Sequence, residues 1–333
     1  MRDALLDVAE NVVCNCLKVA PGEEIAIICD HDRLEIAESL AYAVLKRSAT
    51  PIVLPIFEKS RSILSEMGKS LTVPDSVHAL LDRVTVIITL IGKYVGELDF
   101  RRQILNHVKN NRCRIAHMPG IKPDQFTKYL MADFNEIERR GNELAVKLEQ
   151  KIGKKLHITS KAGTDLTVIV TRHIHLSSGV IDKAGQLGNL PGGEVYFVPK
   201  EGSANGRLVI DISIPNLVLT ETDEKIPIPI SDGKVDLKGF QYQKNRLKEV
   251  LSKKGADVLC EVGIGLNDQI RQGTGTALID EKMGGTVHVA FGDNTFFGGS
   301  NESSVHLDMV MQYPSLTIEG EKIMVHGKWK LAD

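Results

Sequence analysis

The 333-residue chain has no apolar run long enough to cross a bilayer, so a membrane-spanning protein is not expected. A basic excess is also missing. Its 41 lysines and arginines face 43 acidic residues for a net charge of −2, which offers phosphates no electrostatic footprint and argues against a nucleic-acid partner. The opening residues MRDALLDVAENVV carry charges through their apolar positions, where a secretory leader needs an uninterrupted apolar core; a cytoplasmic protein is expected. Cysteine is sparse. The five thiols (Cys14, Cys16, Cys29, Cys113, Cys260) are odd in number and scattered, which suits reduced thiols and not a disulfide framework. Cys14 and Cys16 stand two apart on an expected helix, point in different directions and make a poor chelate. A glycine-rich phosphate turn is lacking too: after Cys29 the chain reads DHDRLE, without the glycines a dinucleotide site needs. Asp30, His31 and Asp32 read there as a solvated turn with a helix cap, with a small polar site at the strand end as the alternative.

What is present divides into two halves. Residues 1–150 alternate helical and strand patterns: a helix over 2–17, then EIAIIC, a helix over 34–45, PIVLPI, VTVIITL, a helix over 100–109, and RCRIAHM. Strands apolar on both faces and separated by helices predict a parallel sheet covered on both sides, serving as a scaffold or access domain. A charged helix near 133–151 leads into residues 151–333. There, short alternating segments (KLHITS, DLTVIV, GEVYFVP, GRLVIDI, TVHVAFG, SLTIEG, EKIMVHG) are punctuated by glycine, with one helix expected at Gln243–Lys254. The fold class expected is α/β: an N-terminal parallel-sheet domain plus a C-terminal, mainly antiparallel α+β domain that binds metal.

The second half holds the residues suited to a divalent ion, which takes imidazole nitrogen and carboxylate oxygen. His306 and Asp308 are two apart on a strand and share a face. His288 lies in GGTVHVAFG, flanked by glycines that let backbone pass close. Glu261 follows the apolar DVLC, and Glu194 follows a Pro-Gly-Gly turn; a carboxylate beside an apolar strand is costly to bury without a cation. Each has an ordinary reading alone: a hydrogen-bonded strand histidine, or an acid facing water at a strand end. Glu281 in LIDEKMGG, His173-x-His175 in TRHIHLSSG and the adjacent Arg172 are further polar candidates, with turn and surface roles as their alternatives. The single tryptophan, Trp329, is expected to pack the final strand.

Several long motifs occur in order: GTDLTVIV, NLPGGEVYFVP, NGRLVID, a glutamate before VGIGLN, TGTALIDEKMGGTVHVAFGDN and GGSNESSVHLDMV. Over about residues 160–325 the chain thus resembles a shortened member of the thermophilic-type metallo-aminopeptidases, aminopeptidases T and S. The resemblance implies metal ligands at Glu194, Glu261, His288, His306 and Asp308, enough for two divalent ions (zinc, cobalt or manganese) sharing a bridging carboxylate. It further implies a hydrolase that removes N-terminal residues from short peptides with a metal-activated water, Glu281 as proton carrier, and a homodimer.

One departure stands out. The family's tyrosine after the first metal histidine is missing from VAFGDNTFFGG, where Thr295 holds the approximate spacing. A second group is similar to the same scaffold: iron-dependent extradiol-type dioxygenases of dihydroxypyridines, with one Fe(II) on two histidines and an aspartate. His306 and Asp308 fit that set. Its third ligand, a histidine, falls near Glu261, and glutamate there argues against the oxygenase. A metal-retaining binding relative without activity is the third reading.

Overall fold

Runs such as EIAIIC and VIITL offer apolar side chains to both faces of a strand, so they are stable only inside a sheet covered on both sides. In the computed structural model, which describes residues 2–56, 72–92, 97–110, 112–242 and 246–330, they take those places. In chain order the first strands are β1 (Glu24–Asp30), β2 (Thr50–Ile56), β3 (Val86–Leu90), β4 (Arg114–His117), β5 (Lys155–Thr159), β6 (Asp165–Ile169), β7 (Ile174–Ser177), β8 (Leu187–Asn189), β9 (Glu194–Phe197) and β10 (Asn205–Ile210). They are followed by β11 (Ser213–Ile214), β12 (Leu217–Val218), β13 (Ile226–Ser231), β14 (Lys234–Val235), β15 (Leu259–Gly265), β16 (Val287–Gly292), β17 (His306–Met311), β18 (Ser315–Ile318), β19 (Glu321–Val325) and β20 (Lys328–Trp329). The chain divides into two compact units, Met1–Asn135 with Gly179–Gly192, and Glu136–Ser178 with Gly193–Asp333.

The first unit is the expected parallel α/β layer. Its sheet runs β2-β1-β3-β4-β8, every neighbouring pair parallel, with β8 supplied by the returning 179–192 segment. Ala26, Ile28, Ile87 and Ile115 of the sheet join Leu81, Phe100 and Ile104 in one buried cluster. The turn after β1 differs from its solvated expectation. Asp30 is fully buried, bonded to Arg33 three residues on and to the Gly92 backbone N–H. A buried carboxylate needs such a partner, and a one-turn reversal lets Arg33 reach it. His31 and Asp32 remain exposed.

The second unit holds two antiparallel sheets. One runs β14-β13-β10-β6-β5-β18-β19-β20; the other runs β12-β11-β17-β16-β15-β9-β7. The helix expected at Gln243–Lys254 is short, Leu247–Leu251; residues 243–245 lie outside the described residues. Trp329 sits on β20, half-buried, paired across the ladder with Met324. Among the described residues no helix is long and apolar enough to cross a membrane, and the five cysteines carry no disulfide.

Candidate metal centre

Side chains alternate faces along a strand, so cross-strand register decides what converges. In the seven-stranded sheet, Tyr196 pairs with both His175 and Gly263, Gly263 with His288, and His288 with Val310. The adjoining rows place Ser177 beside Glu194 and Gly265, Glu261 beside Ala290 and Asp308, and Gly292 beside His306. All these residues occupy one face. Five sequence-selected ligand candidates, from β9, β15, β16 and β17, are therefore presented together, together with residues too small to fill the space.

The small residues are structural requirements. A Cβ on Gly263 would collide with the imidazole of His288, and one on Gly265 would collide with the Met283 carbonyl. The space over Gly265 is taken by the chain that follows the short helix Ala277–Asp280, and that chain carries Glu281 and Lys282. Asp280 secures the approach to this helix, accepting from the Thr274 N–H and hydroxyl and from the Gly275 N–H.

Both histidines are oriented by backbone. His288 Nδ1 lies 3.0 Å from the Glu281 carbonyl, and His306 Nδ1 lies 2.7 Å from the Asp293 carbonyl. A carbonyl only accepts, so each Nδ1 carries the proton and each Nε2 is turned to the centre as a potential ligand. His288 Nε2 is 3.2 Å from Glu261 Oε1 and 3.6 Å from Glu194 Oε2. His306 Nε2 is 3.3 Å from Asp308 Oδ1 and 3.7 Å from Glu261 Oε2. Glu261, His288 and Asp308 each place a ligand atom within 4.8 Å of the others, a group able to hold a metal ion. Glu194 Oε2 and Glu261 Oε2 are buried with no hydrogen-bond partner among the described residues, which is the condition a cation between them would relieve.

The electrostatics follow from this crowding. Burial raises the pKa of Glu194, Glu261 and Glu281. Burial works against charge on His288, but Glu261, Glu194 and Asp308 outweigh it and raise its pKa to about 9. Burial likewise opposes ionisation of Asp308, yet His306 holds it at about 2. Negative charge gathered in a buried place favours protons on the imidazoles or a metal cation among them.

Sequence reasoning missed three neighbours. Lys282, fully buried, donates to Glu194 Oε1 at 3.0 Å and to Glu281. Tyr196 stacks on His175 with ring centroids 5.1 Å apart, and Phe297 meets Tyr196 edge-on at 5.3 Å and His306 at 5.6 Å. The i, i+2 spacing of Glu194 and Tyr196 was the available signal for the tyrosine. A lysine beside a glycine pair carries no comparable signal, because such residues ordinarily face water. His175, one of the polar candidates, has Nε2 3.0 Å from the Phe297 carbonyl; Arg172 is exposed. Thr295, at the missing tyrosine's place, is exposed on a 3-10 turn.

The family model described as NicX, 2,5-dihydroxypyridine 5,6-dioxygenase, matches residues 4–330. A curated 2,5-dihydroxypyridine 5,6-dioxygenase of Pseudomonas putida KT2440 is 24% identical over 200 residues, 55% of this chain and 56% of that relative, so the match spans just over half of the relative's length. The solved 2,5-dihydroxypyridine dioxygenase of Pseudomonas putida KT2440 superposes with a TM-score of 0.74 at 17% identity, covering 100% of this chain and 99% of that one. Wild-type AmpT from Thermus thermophilus superposes with a TM-score of 0.71 at 18% identity, covering 98% and 99%. At such identities the two structures speak for a shared fold.

The family match and the curated relative overturn the metallo-aminopeptidase expectation, and with it the hydrolase and protease assignments and the short-peptide substrate. The dioxygenase and AmpT structures share this fold, and a shared fold does not name the reaction run on it. Glutamate at 261 had counted against an oxygenase. Its carboxylate lies 3.2 Å from His288, so His288 and His306 already supply two imidazoles beside Asp308 without a histidine at 261. The family implies a divalent metal, and Glu261, His288 and Asp308 form a group able to hold one; the pair of zinc, cobalt or manganese ions is not supported.

Proposed function

Because the chain belongs to the 2,5-dihydroxypyridine 5,6-dioxygenase family, we propose that it is a non-haem Fe(II) dioxygenase that cleaves a hydroxylated pyridine ring. The observation that carries this reading is the family match over residues 4–330. The donor set supports it: two Nε2 atoms with an adjacent aspartate are the 2-His-1-carboxylate arrangement of oxygenases that leave coordination positions open. His288, His306 and Asp308 would hold one Fe(II), with Glu261 as a further oxygen ligand. Bound Fe(II) supplies the one-electron chemistry through which dioxygen reacts with the ring, both oxygen atoms entering the product as a ring carbon–carbon bond breaks.

The remaining groups divide the other tasks. The backbone carbonyls of Glu281 and Asp293 fix both imidazole tautomers, so neither ring must reorient during turnover. Phe297, Tyr196 and His175 form an aromatic wall beginning 5.6 Å from the His306 ring, suited to stacking a flat heteroaromatic substrate. Glu281, its pKa raised by burial, would be the group that carries a proton from a substrate hydroxyl.

The test is anaerobic loading with Fe(II), followed by oxygen-electrode and ultraviolet measurements on 2,5-dihydroxypyridine and its ring isomers. One dioxygen consumed per ring, with loss of the aromatic absorption, is expected. An iron-loaded protein that consumes no oxygen with any of these rings overturns the proposal.

A further inference from the structure

Lys282 has no task in that scheme, yet it is among the most completely buried side chains of the protein. Its ammonium donates to Glu194 Oε1 at 3.0 Å and to Glu281 Oε1. The chain is held on both sides of it: the Lys282 N–H bonds the Ile279 carbonyl at 3.1 Å, and the Lys282 carbonyl accepts from Asn267 at 2.9 Å. Gly265, bare of a Cβ, lets this stretch lie against β15. The fold therefore delivers a fixed positive charge into a cluster of four carboxylates, Glu194, Glu261, Glu281 and Asp308.

The four acids divide unequally. Among the described residues, Glu261 and Asp308 face the two histidine Nε2 atoms and bond no lysine or arginine side chain. Glu194 and Glu281 each give an oxygen to Lys282. Two imidazoles and two carboxylates are a sufficient protein set for one ion with open positions. A second ion would need Glu194 and Glu281, the two acids already bound to an ammonium. Two-metal centres place their ions about 3.5–4 Å apart, and an ammonium so close to that second position repels a dication strongly where water does not screen the charges.

We propose that Lys282 acts as a built-in monovalent cation that occupies the place of a second metal ion and keeps this centre mononuclear. The inference rests on reading the cluster as the metal centre of the proposed oxygenase. It concerns the number of ions bound and not the reaction, so the two can fail separately. Absence of ring cleavage with a one-ion stoichiometry sinks the oxygenase reading alone; ring cleavage by a wild-type protein that binds two ions sinks the role of Lys282 alone.

The experiment is equilibrium dialysis of the full chain, stripped with chelator, against Mn(II), with metal analysis and electron paramagnetic resonance. Wild type and Lys282→Arg are expected to take up one equivalent and give the spectrum of an isolated ion. Lys282→Met is expected to take up two equivalents and show the multiline signal of an exchange-coupled pair, its second ion bound at least tenfold more tightly than any second ion in wild type. A count of one in Lys282→Met overturns the proposal. Should Lys282→Met not fold without metal, wild type at Mn(II) a hundredfold above its first dissociation constant decides: a coupled signal overturns the proposal, and a single-ion signal upholds it.

Discussion

Strands β1 and β15 are both seven residues long and almost entirely buried, and each brings a carboxylate into the interior. The two acids are treated differently. Asp30, at the end of β1, has the Arg33 guanidinium at 3.2 Å and the Gly92 N–H on the same oxygen. Glu261, within β15, has one oxygen near His288, and among the described residues the other has no hydrogen bond. The first is a closed ion pair made by the fold for itself. The second is a site held open, and burial pushes its pKa up accordingly. A buried acid thus marks function when its compensation is incomplete, not merely because it is buried.

Arg33→Met tests the closed pair and should have the largest effect. It takes the guanidinium away from buried Asp30 and leaves the Gly92 N–H on that oxygen, a change expected to cost about 3–5 kcal/mol. Urea unfolding should show that loss while metal affinity stays unchanged. A loss below about 1 kcal/mol would mean that Asp30 is compensated elsewhere and that the contrast with Glu261 is overdrawn.

Glu261→Gln should behave in the opposite sense. Without metal, the variant no longer has to bury an orphaned carboxylate and should equal or exceed wild type by about 1 kcal/mol. With metal at a hundred times its dissociation constant, wild type gains about 2.7 kcal/mol, and the variant should lose most of that gain. Thermal unfolding with and without Co(II) reads both terms. If Glu261→Gln destabilises the metal-free protein as Arg33→Met does, Glu261 is a structural acid and the comparison collapses.

Much of this contrast was legible before the fold. The runs EIAIIC and VTVIITL announced a covered parallel sheet because both strand faces are apolar. His306 and Asp308 announced a shared face through their spacing. Other features depend on pairing across distance. Gly263 and Gly265 read only as strand-weakening residues until register places them opposite His288 and Glu194. Lys282 reads as a surface lysine until β9 brings Glu194, 88 positions away, to its ammonium. Strand β8 has three residues, one of them glycine, too few for an alternation to show. Asp30 was misread because local sequence does not reveal that Arg33 turns back onto it. The reaction itself was misassigned because a fold shared with AmpT does not say which reaction it carries.

A third acid sharpens the comparison at smaller scale. Glu23, just before β1, receives Arg114 at 2.8 and 2.7 Å, the Thr85 hydroxyl at 2.8 Å and the Ala20 N–H at 2.8 Å. Partial burial works against its ionisation, but Arg114, with Ala20 and Thr85, outweighs burial and lowers its pKa from 4.5 to about 2. A depressed carboxylate contributes stability that is full above its unfolded pKa and is lost as pH falls toward the folded value. That window runs from pH 4.5 down to about 2. Glu261, raised by burial, has the reverse sign: in the metal-free protein its cost grows as pH rises past 4.5. Glu23→Gln should therefore lower the melting temperature at pH 6 and converge on wild type as pH approaches 2.5, whereas metal-free Glu261→Gln should match wild type in acid and exceed it at pH 6. Melting curves of the three proteins across that range check both slopes. Parallel curves for wild type and Glu23→Gln would show that Arg114 stabilises the end of β1 by packing and not by charge, leaving Asp30 as the first unit's test of a closed ion pair.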